Sequence, residues 1–341
     1  MRRTIALLAL LPVMLAAGGA AAQQAELKKM NVASAFAATT TLPLWIADNE
    51  GLFRKHGLDV KLILFQGSAQ ATQALLGGSA DIVFGTASAA VTAAGRGAPT
   101  AIVATTSLID YMLVVRPTTT SADQLRGKSL GISNFSGGDD FALIRLLPKL
   151  GLTYKQDVKF VVLGTPNPYQ KVEAVLNGTT DGTLATFEVV ETLKVQGKQT
   201  NTLAELIASG VKSSTGDIYT TRSYISRNGE DVKRFLRAFS EAIRLAKNDK
   251  DVTFATLKKH TNTKNDTVLE KLYVRTVVNG FQDMPYPIDE AIIAVRDDMA
   301  DTGGDLAKLR DMGIEKFVDN APMKALEQEG FFAKLPPRKV N

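Results

Sequence analysis

From Lys28 onward, short apolar runs alternate with stretches whose apolar residues recur at helical spacing. Met30 to Ala35 reads as a strand. After it, Leu42, Trp45, Ile46 and Phe53 keep a helical period, with Pro43 in the first turn, where proline is tolerated. Gly51 and Gly57 interrupt that helix. Val60 to Phe65 predicts the next strand, and Ser68 caps a helix whose Ala71, Leu75 and Leu76 face the sheet before Gly77 and Gly78 stop it. Asp81 to Phe84 follows as a strand, and Ser88 opens an alanine-rich helix ending near Gly95 or Gly97. Thr100 to Thr105 and Met112 to Val115 are further strands.

The order then recurs. A capping box at Ser121 to Gln124 precedes the strand Ser129 to Ile132. Helix Asp139 to Leu150, strand Val158 to Leu163, helix Tyr169 to Asn177, strand Asp181 to Ala185 and helix Phe187 to Gln196 complete the series. Ile218 to Thr221 returns the chain to the first unit. Beyond Asn228 a long helix carries Val232, Phe235, Leu236, Phe239, Ile243 and Ala246 on one face, and helical segments run on to about Gly330. Strands alternating with helices specify an α/β class with mainly parallel sheets. Within this series Ala74, Leu76, Gly78, Asp81 and Thr86 return as Ala174, Leu176, Gly178, Asp181 and Thr186. Two units of like design in tandem predict two lobes with a ligand cleft between them.

The N-terminus departs from this pattern. Arg2 and Arg3, an apolar run from Ile5 to Ala17 and the small residues Gly18 to Ala22 make residues 1–22 a signal peptide, with cleavage expected before Gln23. The run is shorter than the about 20 apolar residues that span a bilayer, so the mature chain is expected not to span a membrane and to work in the periplasm. Its removal takes the formal charge from +5 to +3. Lys and Arg are scattered rather than striped, so no nucleic-acid partner is expected. The chain has no cysteine, hence no disulfide, lipid attachment or thiol nucleophile.

Ligands gather at the carboxyl ends of strands in open α/β sheets, where helix starts offer free N–H groups. Small polar residues recur there: Thr39, Thr40 and Thr41, then Ser68, then Thr86 and Ser88 in the first lobe; Asn134, Ser136, Gly137, Gly138, Thr165 and Glu188 in the second. Singly, each Ser or Thr is also explained as a helix cap. Tyr111 and Tyr219 fall near these turns and are candidate walls, whereas the spacing of Trp45 points to the core. Catalytic groups are few: the two histidines, His56 and His260, read as surface residues, and no nucleotide-binding or metalloprotease motif occurs. No metal or cofactor is expected.

Pro43 to Ala47 running into Glu50-Gly51-Leu52-Phe53-Arg54-Lys55-His56-Gly57-Leu58-Asp59-Val60, Gly67-Ser68 to Gly85-Thr86-Ala87-Ser88, and Leu113-Val114-Val115-Arg116-Pro117 resemble the periplasmic substrate-binding proteins of ABC importers for sulfonates, taurine, nitrate and thiamine-precursor pyrimidines. The resemblance implies a two-lobed type II periplasmic binding protein fold with the ligand clamped at the hinge: lobe I from residues 23–110 and 217–341, lobe II from 111–216. It places Thr40, Thr41, Ser68, Thr86 and Ser88 on ligand loops of lobe I and Ser136, Gly137 and Glu188 on those of lobe II. It implies a monomer, not an enzyme, that captures a small organic solute with an anionic, sulfonate-like group by lobe closure and docks on an ABC permease. The cysteine-rich motif of the thiamine-pyrimidine synthases of this fold is absent, and the candidate loops contain no Lys or Arg. An inward-facing Glu188 would favour a pyrimidine or an amine-bearing ligand instead, and a ligand-sensing module for a membrane receptor is a third reading.

Overall fold

Three apolar runs of the first unit become a parallel ladder. β1 (Lys28–Ser34) pairs with β2 (Leu58–Leu64) on one side and with β3 (Ile82–Gly85), wholly buried, on the other. The computed structural model describes residues 26–135, 138–165, 167–301 and 303–339; the leader 1–22, Ser136 and Gly137 lie outside the described residues. α1 (Leu42–Asn49) and α2 (Leu52–Lys55) join β1 to β2, broken at Gly51, whose φ of 67° a side chain would strain. α3 (Ser68–Leu76) joins β2 to β3, and α4 (Ala87–Gly95) leads to β4 (Thr100–Leu108).

The second series repeats the plan: β5 (Tyr111–Val115), β6 (Lys128–Ile132), α5 (Asp139–Lys149), β7 (Val158–Val162), α6 (Pro168–Leu176), β8 (Gly182–Thr186), α7 (Phe187–Val195) and β9 (Asn201–Glu205). β10 (Ser214–Thr221) then returns to the first sheet. The strand orders are β2-β1-β3-β10-β4 and β7-β6-β8-β5-β9. In each sheet four strands share one direction and a single strand, β10 or β5, runs against them. The fold is therefore two α/β sheets built to one plan. β9 was not expected: Asn201–Glu205 mixes polar and apolar residues without a period and lies half-buried at a sheet edge.

The repeated tract is reproduced bond for bond. In the first sheet the Asp81 N–H donates to the Asn31 carbonyl at 2.8 Å, and its carboxylate accepts the Asn31 N–H at 2.8 Å. In the second, Asp181 N–H donates to the Ser129 carbonyl at 2.8 Å and its carboxylate accepts the Ser129 N–H at 2.9 Å. Gly78 and Gly178 take φ of 76° and 78° just before. Each aspartate closes the first rung between a strand and its parallel neighbour, which is why the residue recurs.

α8 (Arg222–Asn248) lays the predicted face of Phe235, Leu236, Phe239 and Ile243 on Met30, Val32, Ile82 and Phe84. It begins before Asn228, where a non-helical φ of −129° bends it. α9 (Lys250–His260), α10 (Asp266–Leu272) and α11 (Asp289–Asp301) follow. α11 meets α5 of the second series: Phe141 packs in the cluster of Ile292, Val295 and Met299, and Arg145 Nε lies 2.8 Å from Asp298. Among the described residues no helix is long and apolar enough to cross a membrane.

Burial alone would raise the pKa of Asp181, but the hydrogen bonds from Ser129 and the charge of Arg116, 2.7 Å away, outweigh it and hold the carboxyl below its ordinary value. Its contribution to stability is therefore present above about pH 4 and is lost as pH falls through the depressed value. Asp181→Ala should lower the unfolding free energy by about 1–3 kcal/mol at pH 7, and by less at pH 3, in urea titrations.

Candidate functional site

The loops that leave β1, β2, β3 and β4 meet those that leave β6, β7, β8 and β9 around one cleft of about 1940 Å³. Of the residues expected at the site, Thr40, Ser68, Thr86, Ser88, Tyr111 and Glu188 line it. Thr41 and Tyr219 do not.

Ser68, Thr86 and Ser88 are brought together where α3 and α4 begin. Ser68 Oγ accepts from the Thr86 N–H and the Thr86 hydroxyl, both at 3.2 Å, and Thr86 Oγ1 lies 2.9 Å from Ser88 Oγ. Neither N-cap residue, Gly67 or Thr86, caps its helix with its own side chain; the α3 start keeps donors and a partial positive charge for a ligand, whereas the first N–H of α4 is already taken by a carboxylate from β10. The cluster sits close on Gly85, where a Cβ would come 3.0 Å from Ser68 Oγ and 3.1 Å from the Tyr219 hydroxyl.

Two expected contacts need correcting. Tyr219 is fully buried, and its hydroxyl lies 2.7 Å from Thr72 Oγ1, which itself donates to the Ser68 carbonyl at 2.7 Å. It steadies the first turn of α3 from beneath. Thr41 is buried as well; its hydroxyl donates to the Phe36 carbonyl at 3.2 Å and accepts from the Ala38 N–H at 3.3 Å, shaping the turn after β1. Under the start of α4 lies a residue that sequence reasoning missed. Asp217 on β10 accepts from the Ala87 N–H at 2.7 Å, Thr105 at 2.7 Å and Ser214 at 2.9 Å, and burial pushes its carboxyl up to about 6.

Glu188, second residue of α7, spends both oxygens across the cleft. Oε2 accepts from Thr39 Oγ1 at 2.5 Å and Oε1 from Thr263 Oγ1 at 2.9 Å. It thus ties the end of the second sheet to two segments packed on the first. Lys271 on α10 pairs with Glu191 one turn along α7 at 2.5 Å. Near the chain crossings, Arg275 holds Asp110 at 2.6 and 2.8 Å and Glu205 at 2.7 Å, with its guanidinium 4.5 Å from the centre of the Phe187 ring.

The candidate loops contain no Lys or Arg, yet the cleft holds cations. They come from a helix turn, a chain crossing and a distant segment: Lys171, Lys212 and Arg275, with Arg96 at the C-cap of α4. Each has a carboxylate partner, Lys171 with Asp139, Lys212 with Glu290, Arg96 with Asp305, and Arg275 with Asp110 and Glu205. Tyr111 beside them is held protonated, its pKa raised by burial and then by Asp139, so it offers an O–H donor. Among the described residues no group of His, Asp or Glu is arranged to hold a metal ion.

The NMT1/THI5-like family matches residues 38–252 of the chain. No curated protein sequence matches it significantly. Among solved structures it is similar to the alkanesulfonate-binding protein SsuA from Xanthomonas axonopodis pv. citri bound to MOPS, at 20% identity and TM-score 0.66 over 88% of this chain and 98% of that one. The periplasmic nitrate-binding protein NrtA from Synechocystis superposes at TM-score 0.72 and 14% identity over 91% of this chain and 90% of that one. A Candida albicans protein with the generic periplasmic binding protein structural fold aligns at TM-score 0.62 and 17% identity over 92% and 99% of the two chains. These likenesses establish the fold as that of periplasmic binding proteins.

Two outcomes follow from this geometry. Glu188→Ala removes a contact across the cleft and strands the buried Thr39 hydroxyl, so it should enlarge the radius of gyration of the ligand-free protein in small-angle scattering. It should also alter the emission of Trp45, the single tryptophan, whose helix follows Thr41 and whose ring stacks on His260 with centroids 4.7 Å apart. An unchanged radius and spectrum would count against the bridge. Because the folded pKa of Asp217 is raised, the folded chain keeps a proton that the unfolded chain releases between about pH 4 and 6. Its contribution to stability therefore falls as pH rises through that window, and urea midpoints of Asp217→Asn should lack that step.

Proposed function

Because the chain belongs to the NMT1/THI5-like family, we propose that it is an extracytoplasmic solute-binding protein, exported by the leader 1–22. Lobe I (residues 23–110 and 217–341) and lobe II (111–216) close on a small organic anion, which is then delivered to an ABC permease. The observation that carries this reading is the cluster of Ser68, Thr86 and Ser88 hydroxyls at two helix starts, that of α3 without a side-chain cap, lining the same cleft as Tyr111. Hydroxyls and helix starts bind an anion by donating to it, without a free cation. A micromolar complex needs about −8.2 kcal/mol, and hydrogen bonds to a charged group supply about 1.5–3 kcal/mol each, so three or four such donors with apolar burial suffice.

Glu188 accepts one hydroxyl on each oxygen, from Thr39 and Thr263, which holds the carboxylate on the protein's own donors. These donors are neutral and a lone pair remains on each oxygen, so an amine-bearing ligand stays the second reading.

The test is a thermal-shift titration of refolded residues 23–341 with alkane and aromatic sulfonates, carboxylates, nitrate, pyrimidines and amines. A saturable rise of melting temperature with organic anions is the expected result, about 2.7 kcal/mol of stabilisation at a hundredfold excess over Kd. Responses confined to amines or pyrimidines would move the reading to the second ligand class, and no response to any class would contradict solute binding.

A further inference from the structure

The exact 100-residue offset between α3 (Ser68–Leu76) and α6 (Pro168–Leu176) sets the two halves of the cleft in register. The buried positions agree one for one: Ala71, Thr72 and Leu75 in the first helix, Lys171, Val172 and Val175 in the second. Where the first half keeps a core alanine, the second carries an ammonium. Lys171 is only 3% exposed, and it sits in the first turns of its helix, where the dipole opposes a positive charge. The burial is satisfied only through a carboxylate partner, and the matching alanine shows that an apolar residue serves this place in the core, so a paired cation kept here beside a ligand cleft is singled out for a functional role.

The partner of Lys171 is Asp139, also 3% exposed, at 2.8 Å. Asp139 is heavily engaged. Its Oδ2 accepts the Ser133 N–H at 2.8 Å, the Ser133 hydroxyl at 2.9 Å and the Lys171 ammonium, while Oδ1 accepts the Asp140 N–H at 3.1 Å. The ammonium has three protons, and Asp139 takes one; among the described residues no other acceptor lies within hydrogen-bond distance of it. The pair thus has two ammonium protons left to donate against one lone pair, on Oδ1, left to accept. Ser133, Asp139 and Lys171 all line the cleft, as does Tyr111.

Apolar groups face the same space. Phe36, Phe65, Phe135, Leu64, Leu76 and Ile207 line it, and Leu64 and Phe135 are 61% and 57% exposed. A cleft of about 1940 Å³ with such walls is far larger than a bare inorganic anion fills.

Resting on the solute-binding reading above, we infer that Lys171 is the specificity-determining cation of the cleft, and that the ligand is an amphiphilic organic acid. Its carboxylate or sulfonate takes the unspent ammonium donors of Lys171 and its apolar body lies against the Phe36, Phe65 and Phe135 walls. Asp139 is a positioning residue that fixes the ammonium.

The experiment is calorimetric titration of wild type, Lys171→Met and Lys171→Arg with four probes and a control: 3-phenylpropanoate and butane-1-sulfonate, the neutral amide of each, and sodium nitrate. Circular dichroism melts establish that each variant folds; should Lys171→Met fail, Lys171→Gln, which can still donate to Asp139, carries the same comparison. In the expected result wild type prefers each acid over its amide and ignores nitrate. Lys171→Met then weakens the acids about 10- to 100-fold while the amides change less than about threefold, and Lys171→Arg keeps the preference for acids. Equal affinity of Lys171→Met and wild type for the acids overturns the role of Lys171 while leaving solute binding intact. Nitrate binding as tightly as the acids overturns the amphiphilic class, and preference for the amides overturns the cationic anchor. Wild type that binds none of the probes contradicts the solute-binding reading itself, and this inference with it.

Discussion

The first sheet is incomplete until the chain has built the second. Between β3 and β4 there is a gap one strand wide, and only β10, arriving from the end of the second series, fills it with antiparallel pairings on both sides. Unpaired backbone groups in the middle of a buried sheet would be strongly unfavourable, so the return crossing is obligatory. The same holds in mirror fashion for β5, which leaves the first series and enters between β8 and β9. Two crossings side by side leave the sheets facing each other across a cleft, with the chain itself as the hinge.

The returning strand also builds half of the site. β10 carries Asp217 to the first N–H of α4 and Tyr219 beneath the first turn of α3, so the two helix starts that hold Ser68, Thr86 and Ser88 are positioned by side chains that never reach the cleft. A buried aspartate with three donors is stable, yet it remains a carboxylate without a cation, and burial raises its pKa accordingly. The opposite side follows another logic. Glu188, Glu191 and Arg145 spend their charges on partners packed with the first sheet, which holds the halves together, Glu188 doing so from the wall of the cleft itself.

Much of this was legible in residue order. The alternation of apolar runs specified the strands and helices, the glycine stops at Gly78 and Gly178 marked the repeat, and the small polar residues after strands led to Ser68, Thr86 and Ser88. What residue order hides is which side of an element a side chain takes. Thr41 and Tyr219 sit at the right places along the chain but turn into the core. Lys171 reads as an ordinary polar residue of an amphipathic helix, and only the match with Ala71 would have singled it out. Arg275 and Thr263 come from beyond the repeated units, where no local motif announces a contact about 70 to 165 residues away. β9 escaped because all five of its residues are half-buried, so neither face imposes a period.

The central claim, capture of a solute between two halves built to one plan, is tested most directly by hydrogen exchange. Refolded residues 23–341 would be compared with and without the organic acid that raises the melting temperature most. Slowed exchange in segments 67–72 and 86–90 of the first half together with 133–141 and 168–172 of the second is the predicted result. Protection confined to one half, or lying away from these helix starts, would contradict the account.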